Sequence, residues 1–380
     1  MSRVEWFKPY FDNTEREALL QVYDSGWLGQ GPKVAELEAA CRAVTRAKHC
    51  VAVVNGTAAL DIALKLLGIQ PGDEVIVPAF GYIATANSVR FQAATPVFAD
   101  VDPVTFNLDP ADVARKITKK TKAIIAIDYA GHAAKWPELR QLATDAGVGL
   151  VEDAAPSLGA RLGDTPLGTF GDVGITSLHM AKSVMSVEGG VIFLNSDEHD
   201  RLARMMRSHG ESPTEKYVHP ILGHNFRMSD LHAAIGVVQV GRLPEVLARR
   251  ARNAALYNQL LGSSASVRLP VVQPGHTHSW FLYPTLVENR DAVRAEMNAL
   301  GVGTNVSWPR PIYKQDHFKP FFTEICPVAE WVAERVLCLP LFYELTEAEQ
   351  EQVAHAYHKA VQVHHAGPVV NSYQSRKDAQ

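Results

Sequence analysis

An open, doubly wound α/β sheet with a smaller α+β unit at the C-terminal end is the fold class this sequence predicts. Three observations carry that expectation. Between about residues 50 and 195, short runs rich in Val and Ile alternate with segments of helical period. Those runs are apolar throughout, as strands of a mostly parallel sheet covered by helices on both faces must be. Past residue 240 the texture changes to longer helical stretches with fewer strands.

Taken in order, "CVAVVN" (50–55) reads as a strand and "TAALDIALKLLGI" (57–69) as a helix, and "EVIVP" (74–78) and "IATANSVRFQAA" (83–94) repeat the pair. "PVFADV" (96–101) and "AIIAID" (123–128) are strands, and helix "WPELRQLATDAG" (136–147) leads to strand "GLVED" (149–153). "DVGITSL" (172–178) and "GGVIFLN" (189–195) close the series. In the second part, "LPEVLARRARNAALYNQLL" (243–261) reads as one long helix, followed by strand "FLYPTLV" (281–287) and helix "DAVRAEMNALG" (291–301). "VGTNVSW" (302–308) reads as a strand, "PVAEWVAERVLCLP" (327–340) and "LTEAEQEQVAHAYHKAV" (345–361) as helices. The expected organisation is a large α/β domain over 1–245 with an N-terminal arm, a small α+β domain over 246–365, and a flexible tail over 366–380.

Bulk properties narrow the function. With 37 basic against 41 acidic residues, net charge is −4, which leaves no footprint for nucleic acid or an anionic membrane. The opening "MSRVEWFKPYF" has no continuous apolar core of a secretory signal. Apolar runs such as "VAVVNGTAALDIALKLLGI" are broken by Asn55, Asp61 and Lys65, too polar to span a bilayer. Four scattered cysteines with no CxxC spacing argue against a disulfide framework and a metal site. The expectation is a cytoplasmic protein without metal.

Four motifs carry chemistry. In "VVNGTAAL" (53–60) a strand turns at Asn55-Gly56 into a helix whose free N–H groups, beside the Thr57 hydroxyl, form a phosphate seat, or an ordinary turn capped by Thr57. In "GLVEDAAPSLGA" (149–160) a buried strand runs into Glu152-Asp153, at the carboxyl end where ligands collect in such sheets, or the pair serves as a helix cap or salt bridge. In "SLHMAKSVMSVEGG" (177–190) Lys182 sits in a short link between two strands. Burial there favours the neutral amine that a Schiff-base lysine needs; the other reading of the stretch alone is a lysine on a surface turn. In "LGHNFRMSDLHAAIG" (222–236) Asn225 and Arg227 precede a helix capped by Ser229.

In this order, the motifs resemble the DegT/DnrJ/EryC1/StrS family of sugar aminotransferases, which use pyridoxal 5′-phosphate (PLP) on a type I fold. The resemblance runs from about residue 5 to 360. It rests on "SGWLGQGPKVAELE", "GTAALDIALKLLGIQPGDEVIVPAF", "ATPVFADVD", "VEDAAPSLGA", "GTFGDVG", "EGG" and "GHNFRMSDLHAAIG". It implies that Lys182 carries the cofactor and Asp153 pairs with the pyridinium nitrogen. It further implies that Gly56, Thr57, Ala58 and Ser177 seat the phosphate, Tyr82 stacks on the ring, and Asn225 reaches the phosphate of a neighbouring subunit, hence a homodimer with shared sites. Trp27, Tyr217 and His219 are candidate substrate contacts.

The reaction so implied is transfer of an amino group (EC 2.6.1) from L-glutamate to a ketosugar. The leading acceptor is a nucleotide-linked 4-keto-6-deoxy or 3-keto hexose, giving an amino sugar for cell-surface polysaccharide such as lipopolysaccharide, or for natural products. A non-nucleotide ketosugar such as an 8-keto octulosonate, or a keto-cyclitol, is the alternative; a dehydratase or a non-catalytic regulator ranks lower. Two departures from the family pattern stand out. Val187 replaces a common glycine, and Pro156 stands where Gln or His is usual.

Overall fold

The structure, a computed structural model, describes residues 3–262, 264–364 and 367–373. The N-terminal arm leads into α1 (Asn13–Ser25) and α2 (Pro32–Thr45). Asp12 and Glu15 close a capping box at the start of α1. The α/β series then runs β1 (His49–Val53), α3 (Gly56–Leu66), β2 (Glu74–Pro78), α4 (Ala84–Phe91), β3 (Thr95–Ala99), α5 (Pro110–Lys116) and β4 (Thr121–Ile127). It continues through α6 (Trp136–Ala146), β5 (Gly149–Asp153), a small hairpin of β6 (Arg161–Leu162) and β7 (Thr165–Pro166), β8 (Val173–Ser177) and β9 (Gly190–Leu194). Helices α7 (Asp197–Arg207), α8 (Asp230–Gly241) and α9 (Leu243–Leu261) follow.

The main sheet has seven strands in the order β1-β9-β8-β5-β4-β2-β3. Only β9 runs against its neighbours; the other pairings are parallel. Strands β4, β5, β8 and β9 are almost wholly buried, as the continuous apolar runs predicted. This topology brings the carboxyl ends of β1, β4, β5 and β8, and the start of β9, to one edge. Packing there is tight. A Cβ on Gly190 would stand 2.8 Å from the Gly56 nitrogen, so only glycine lets the start of β9 approach the β1–α3 turn.

The small unit has a three-stranded antiparallel sheet of β10 (Val267–Arg268), β11 (Tyr283–Val287) and, later in the chain, β12 (Val336–Leu339). Helices α9, α10 (Arg290–Ala299) and α12 (Glu347–Val363) pack on it through Tyr257, Met297 and Tyr357, while α11 (Pro327–Arg335) faces the main core through Trp331 and Val332.

Two element expectations are corrected. "VGTNVSW" is no strand: its β-pairing is limited to isolated bridges, Val302 with Val4 and Asn305 with Cys338. The third strand is "VLCL", which reads as the end of a helix. The helix stops at Arg335, and Val336–Leu339 pairs with β11. A short buried apolar run has no period that separates helix from strand, so tertiary pairing decides. The expected domain boundary at 245/246 lies inside α9. Of the expected tail, Val369 N–H donates to Ala265 O at 2.8 Å and Trp331 Nε1 to Val370 O at 2.9 Å. Residues 366 and 374–380 of that stretch lie outside the described residues.

Candidate active site

At the carboxyl edge of the main sheet lies a cavity of about 560 Å³. Gly56, Thr57, Tyr82, Asp153, Ser177 and Lys182 all line it, six residues drawn from distant parts of the chain. Its outer walls are mainly apolar: Trp6, Phe281, Leu282, Val306 and Trp308.

The floor is built from strand ends. Asn55, not Thr57, caps α3: its Oδ1 accepts the Ala58 N–H at 2.8 Å. That bond spends the Ala58 amide, and Ala58 is not part of the cavity wall. The first-turn amides of Gly56 and Thr57 have no intrahelical acceptor and stand at the positive end of the α3 dipole. Ser177, at the end of β8, sits against Gly56, whose ideal Cβ would lie 3.4 Å from Ser177 Oγ. One anionic group thus has two amides and the Thr57 hydroxyl on the first turn of α3, with the Ser177 hydroxyl beside them from the end of β8.

Strand alternation separates the two adjacent carboxylates of β5. Glu152 points away from the cavity and accepts the Gly168 and Phe170 amides, both at 2.5 Å. It lies against a second buried carboxyl, Asp128, which accepts from Ala134 N, Trp136 Nε1 and Ser157 Oγ. Burial, then the neighbouring Asp128 charge, pushes the Glu152 pKa well up. Asp153 points into the cavity. It is buried, and burial raises its pKa, while the Ala155 amide (3.1 Å), the Lys182 charge and the Thr85 hydroxyl (3.2 Å) oppose the shift.

Lys182 rides on the loop between β8 and β9. Three backbone bonds close that loop: Leu178 N to Gly189 O, Ser186 N to Leu178 O and Met180 N to Val187 O, each 2.8 Å. The last needs Val187 in the left-handed region, at φ 67°, where a β-branched residue is strained. Lys182 Nζ lies 4.3 Å from the centroid of the Phe281 ring. Burial lowers its pKa to about 8, against the opposing pull of Asp153. At pH 7 that enlarges the neutral amine fraction roughly 300-fold over an ordinary lysine.

Other expected residues lie elsewhere. Trp27 is exposed and donates Nε1–H to Gln30 O. Tyr217 is 78% exposed, and a His219 ring nitrogen bonds His209 O. Asn225 is exposed and bridges Ser208, on a segment whose Phe226 carbonyl accepts Val54 N–H. None of these four lines this chain's cavity. Pro156 does, and its carbonyl accepts from Ser279 Oγ at 2.6 Å. Sequence reasoning missed Thr85, Trp6, Phe281 and the pair His179 and Glu188. No local motif marks the first three. The last two sit inside the Lys182 segment itself.

A phosphorylated pyridine aldehyde asks a protein for an anion seat, an amine of lowered basicity and a carboxylate facing the ring nitrogen. This donor set matches all three requirements. Among the described residues no helix is long and apolar enough to cross a membrane.

Comparison with known proteins agrees. The DegT/DnrJ/EryC1/StrS aminotransferase family matches residues 9–358. The chain is 37% identical over 332 residues to the "Pleiotropic regulatory protein" of Geobacillus stearothermophilus, covering 85% of this chain and 88% of that one. It is 35% identical over 364 residues to the GDP-perosamine synthase of Caulobacter vibrioides, covering 93% and 97%. Among solved structures, the aminotransferase TlmJ from Streptoalloteichus hindustanus superposes with a TM-score of 0.91 at 31% identity, over 95% of this chain and all of that one. Fold and site together define a PLP-dependent aminotransferase of the type I fold, in the EC 2.6.1 class. The chain belongs to the DegT/DnrJ/EryC1/StrS aminotransferase family, and is a sugar aminotransferase.

Proposed function

We propose that this enzyme moves an amino group from L-glutamate to a nucleotide-linked ketosugar of the 4-keto-6-deoxy or 3-keto hexose kind. The product is an amino sugar for cell-surface polysaccharide or natural-product synthesis, made in the cytoplasm. The observation that carries the reading is the convergence of Lys182, Asp153 and the α3 N-terminus on one cavity. The 35% identity to a GDP-perosamine synthase favours the nucleotide-linked acceptor.

Bound PLP supplies an aldehyde and an electron-withdrawing ring, the sink for the electron pair freed when an amine changes carbon. Lys182 Nζ would bind that aldehyde and, when free, would carry the proton between the substrate carbon that bears the amine and the cofactor's aldehyde carbon. Its lowered basicity keeps a useful share of it neutral near pH 7. Asp153, held by Thr85 and Ala155, keeps a proton on the ring nitrogen, because an opposite charge in a shielded site favours the protonated form. The Gly56 and Thr57 amides, with Thr57 and Ser177 hydroxyls, hold the phosphate; Ala58 contributes by completing the turn. Tyr82, at the rim, covers the ring, while Trp6, Phe281 and Trp308 keep water from it.

The working unit in this reading is a homodimer. Asn225 is exposed beside the β1–α3 turn and faces no group of its own cavity, which supports its service to a second copy. Exposed Trp27, Tyr217 and Leu222 supply apolar surface for the same contact.

The test is a pair of half-reactions followed by cofactor absorbance. L-Glutamate should convert the PLP form to the amine form, and ketosugars from a panel of nucleotide-linked and free compounds should restore it. No spectral response to L-glutamate contradicts the donor. Restoration by free ketosugars alone contradicts the nucleotide-linked acceptor.

A further inference from the structure

Two polar side chains in the cavity wall have no part in holding the cofactor. His179 and Glu188 stand at opposite ends of the Lys182 loop, nine residues apart in sequence. The three backbone bonds that close the loop bring them face to face, with His179 Nε2 3.6 Å from Glu188 Oε1. Both line the cavity, and each side chain keeps about half its surface, 46% and 50%.

Their hydrogen-bonding roles are set by the backbone. Ala181 N–H donates to His179 Nδ1 at 3.2 Å, so Nδ1 is an acceptor and Nε2 carries the ring hydrogen. That hydrogen is on the side of Glu188, across a gap longer than a hydrogen bond. Glu188 therefore keeps free acceptor capacity, and His179 keeps a donor. The same cavity is also lined by Phe281, Val306 and Trp308, which are mainly apolar, and by Asn305 and Ser307 between them. A keto acceptor that carries hydroxyls gains most by placing them against groups with unspent hydrogen-bonding capacity, which His179 and Glu188, beside Lys182, provide.

We propose that His179 and Glu188 form a hydroxyl clamp: the Glu188 carboxylate accepts, and His179 Nε2–H donates, hydrogen bonds to hydroxyls flanking the acceptor's carbonyl. The clamp sets acceptor specificity. It rests on the ketosugar reading above and adds a recognition element to it. A site that bonds a hydroxyl rejects the analogue lacking one far better than an apolar pocket does, because its own polar groups are then left unpaired.

The experiment uses the holoenzyme and two variants, Glu188→Gln and His179→Asn. Asn retains an acceptor for the Ala181 amide and removes the Nε2 donor. Each protein is given L-glutamate and then ketosugars, nucleotide-linked and free, each beside its analogue deoxygenated next to the carbonyl. Both variants should take the amine from L-glutamate within about twofold of wild type. Their KM for hydroxylated acceptors should rise about 10- to 100-fold, the range of one charge-assisted hydrogen bond. The preference over the deoxygenated analogue should collapse. Tryptophan emission, to which Trp6 and Trp308 in the wall contribute, should report the same weakening in binding without turnover.

Unchanged acceptor binding in both variants overturns the clamp, and so does an equal loss for hydroxylated and deoxygenated ketones. Whichever of the free or nucleotide-linked arms shows the effect names the source of the hydroxyls. A wild-type enzyme that ignores L-glutamate defeats the parent reading instead. If Glu188→Gln does not fold, the half-exposed His179→Asn carries the test alone.

Discussion

The floor of the cavity and the wall that faces it commit their polar groups differently. On the floor, Asp153 already holds two hydrogen bonds, Asn55 is spent on its cap, and Ser177 is fixed by a strand end. On the facing wall, Trp6, Phe281 and Trp308 come from three distant parts of the chain, and the polar groups of the Lys182 loop are only loosely engaged. Strain is likewise uneven. Val187 and Trp308 both sit at positive φ, at 67° and 54°; on the floor side only Ala130, just past β4, does so, at 58°. A rigid, satisfied floor suits a reaction common to a whole family. A wall of separate pieces suits a substrate that differs from member to member.

This contrast can be broken or sharpened by substitution. The largest effects belong to the two groups that would hold the cofactor, Lys182 on its loop and Asp153 on the floor. Lys182→Ala should lower kcat by at least about 10³-fold, since it removes both the attachment and the proton carrier. Steady-state turnover with L-glutamate and an accepted ketosugar measures it. Next comes Asp153→Asn, of the same shape without the charge, which should cost roughly 10²- to 10³-fold in kcat with KM for the ketosugar little changed. An equal rise in KM would mean that Asp153 serves substrate and not the ring.

A pH dependence follows from the lowered basicity of Lys182. In the cofactor-free protein the amine loses its proton around pH 8, not near 10.5. The rate of PLP capture should therefore rise with pH up to about 8 and then level. Stopped-flow absorbance would reveal an inflection nearer 10.5 if burial had no such effect.

The smallest effect is on stability. Val187→Gly should relieve the left-handed strain of the Lys182 loop, worth about 1–2 kcal/mol, against a Gly entropy cost of about 0.5–1 kcal/mol. The net gain should raise Tm by roughly 1–2 °C in calorimetry. A lower Tm would show that the Val187 side chain packs usefully in spite of its backbone.

Legibility in the sequence follows the same divide. Strands of the main sheet read cleanly because their apolar runs are bounded by turns, and Asp153, Ser177 and Lys182 lie at or just past strand ends. Their convergence needed only the parallel topology. Thr85 was not legible, because its bond to Asp153 crosses 68 residues and nothing in "IATAN" marks it. Trp6 and Phe281 were hidden for the same reason, whereas Trp308 stands in "NVSWPRPIYKQ", where the family resemblance places Ser307-Trp308 near sugar-binding positions. Thr57 looked like a cap, but the Asn55 side chain reaches the Ala58 amide first. Strand β12 was misread because Val336–Leu339 is buried throughout, a pattern that helices share.

The central claim is that one lysine, held short of its usual basicity above Asp153, is the attachment point of the cofactor. Borohydride reduction of the PLP-loaded enzyme, followed by digestion and peptide mass spectrometry, tests it most directly. The account predicts the reduced phosphopyridoxyl mass on the peptide containing Lys182 and on no other lysine. Labelling elsewhere, for example at Lys65 beside Asp61, or no stable label at all, would contradict it.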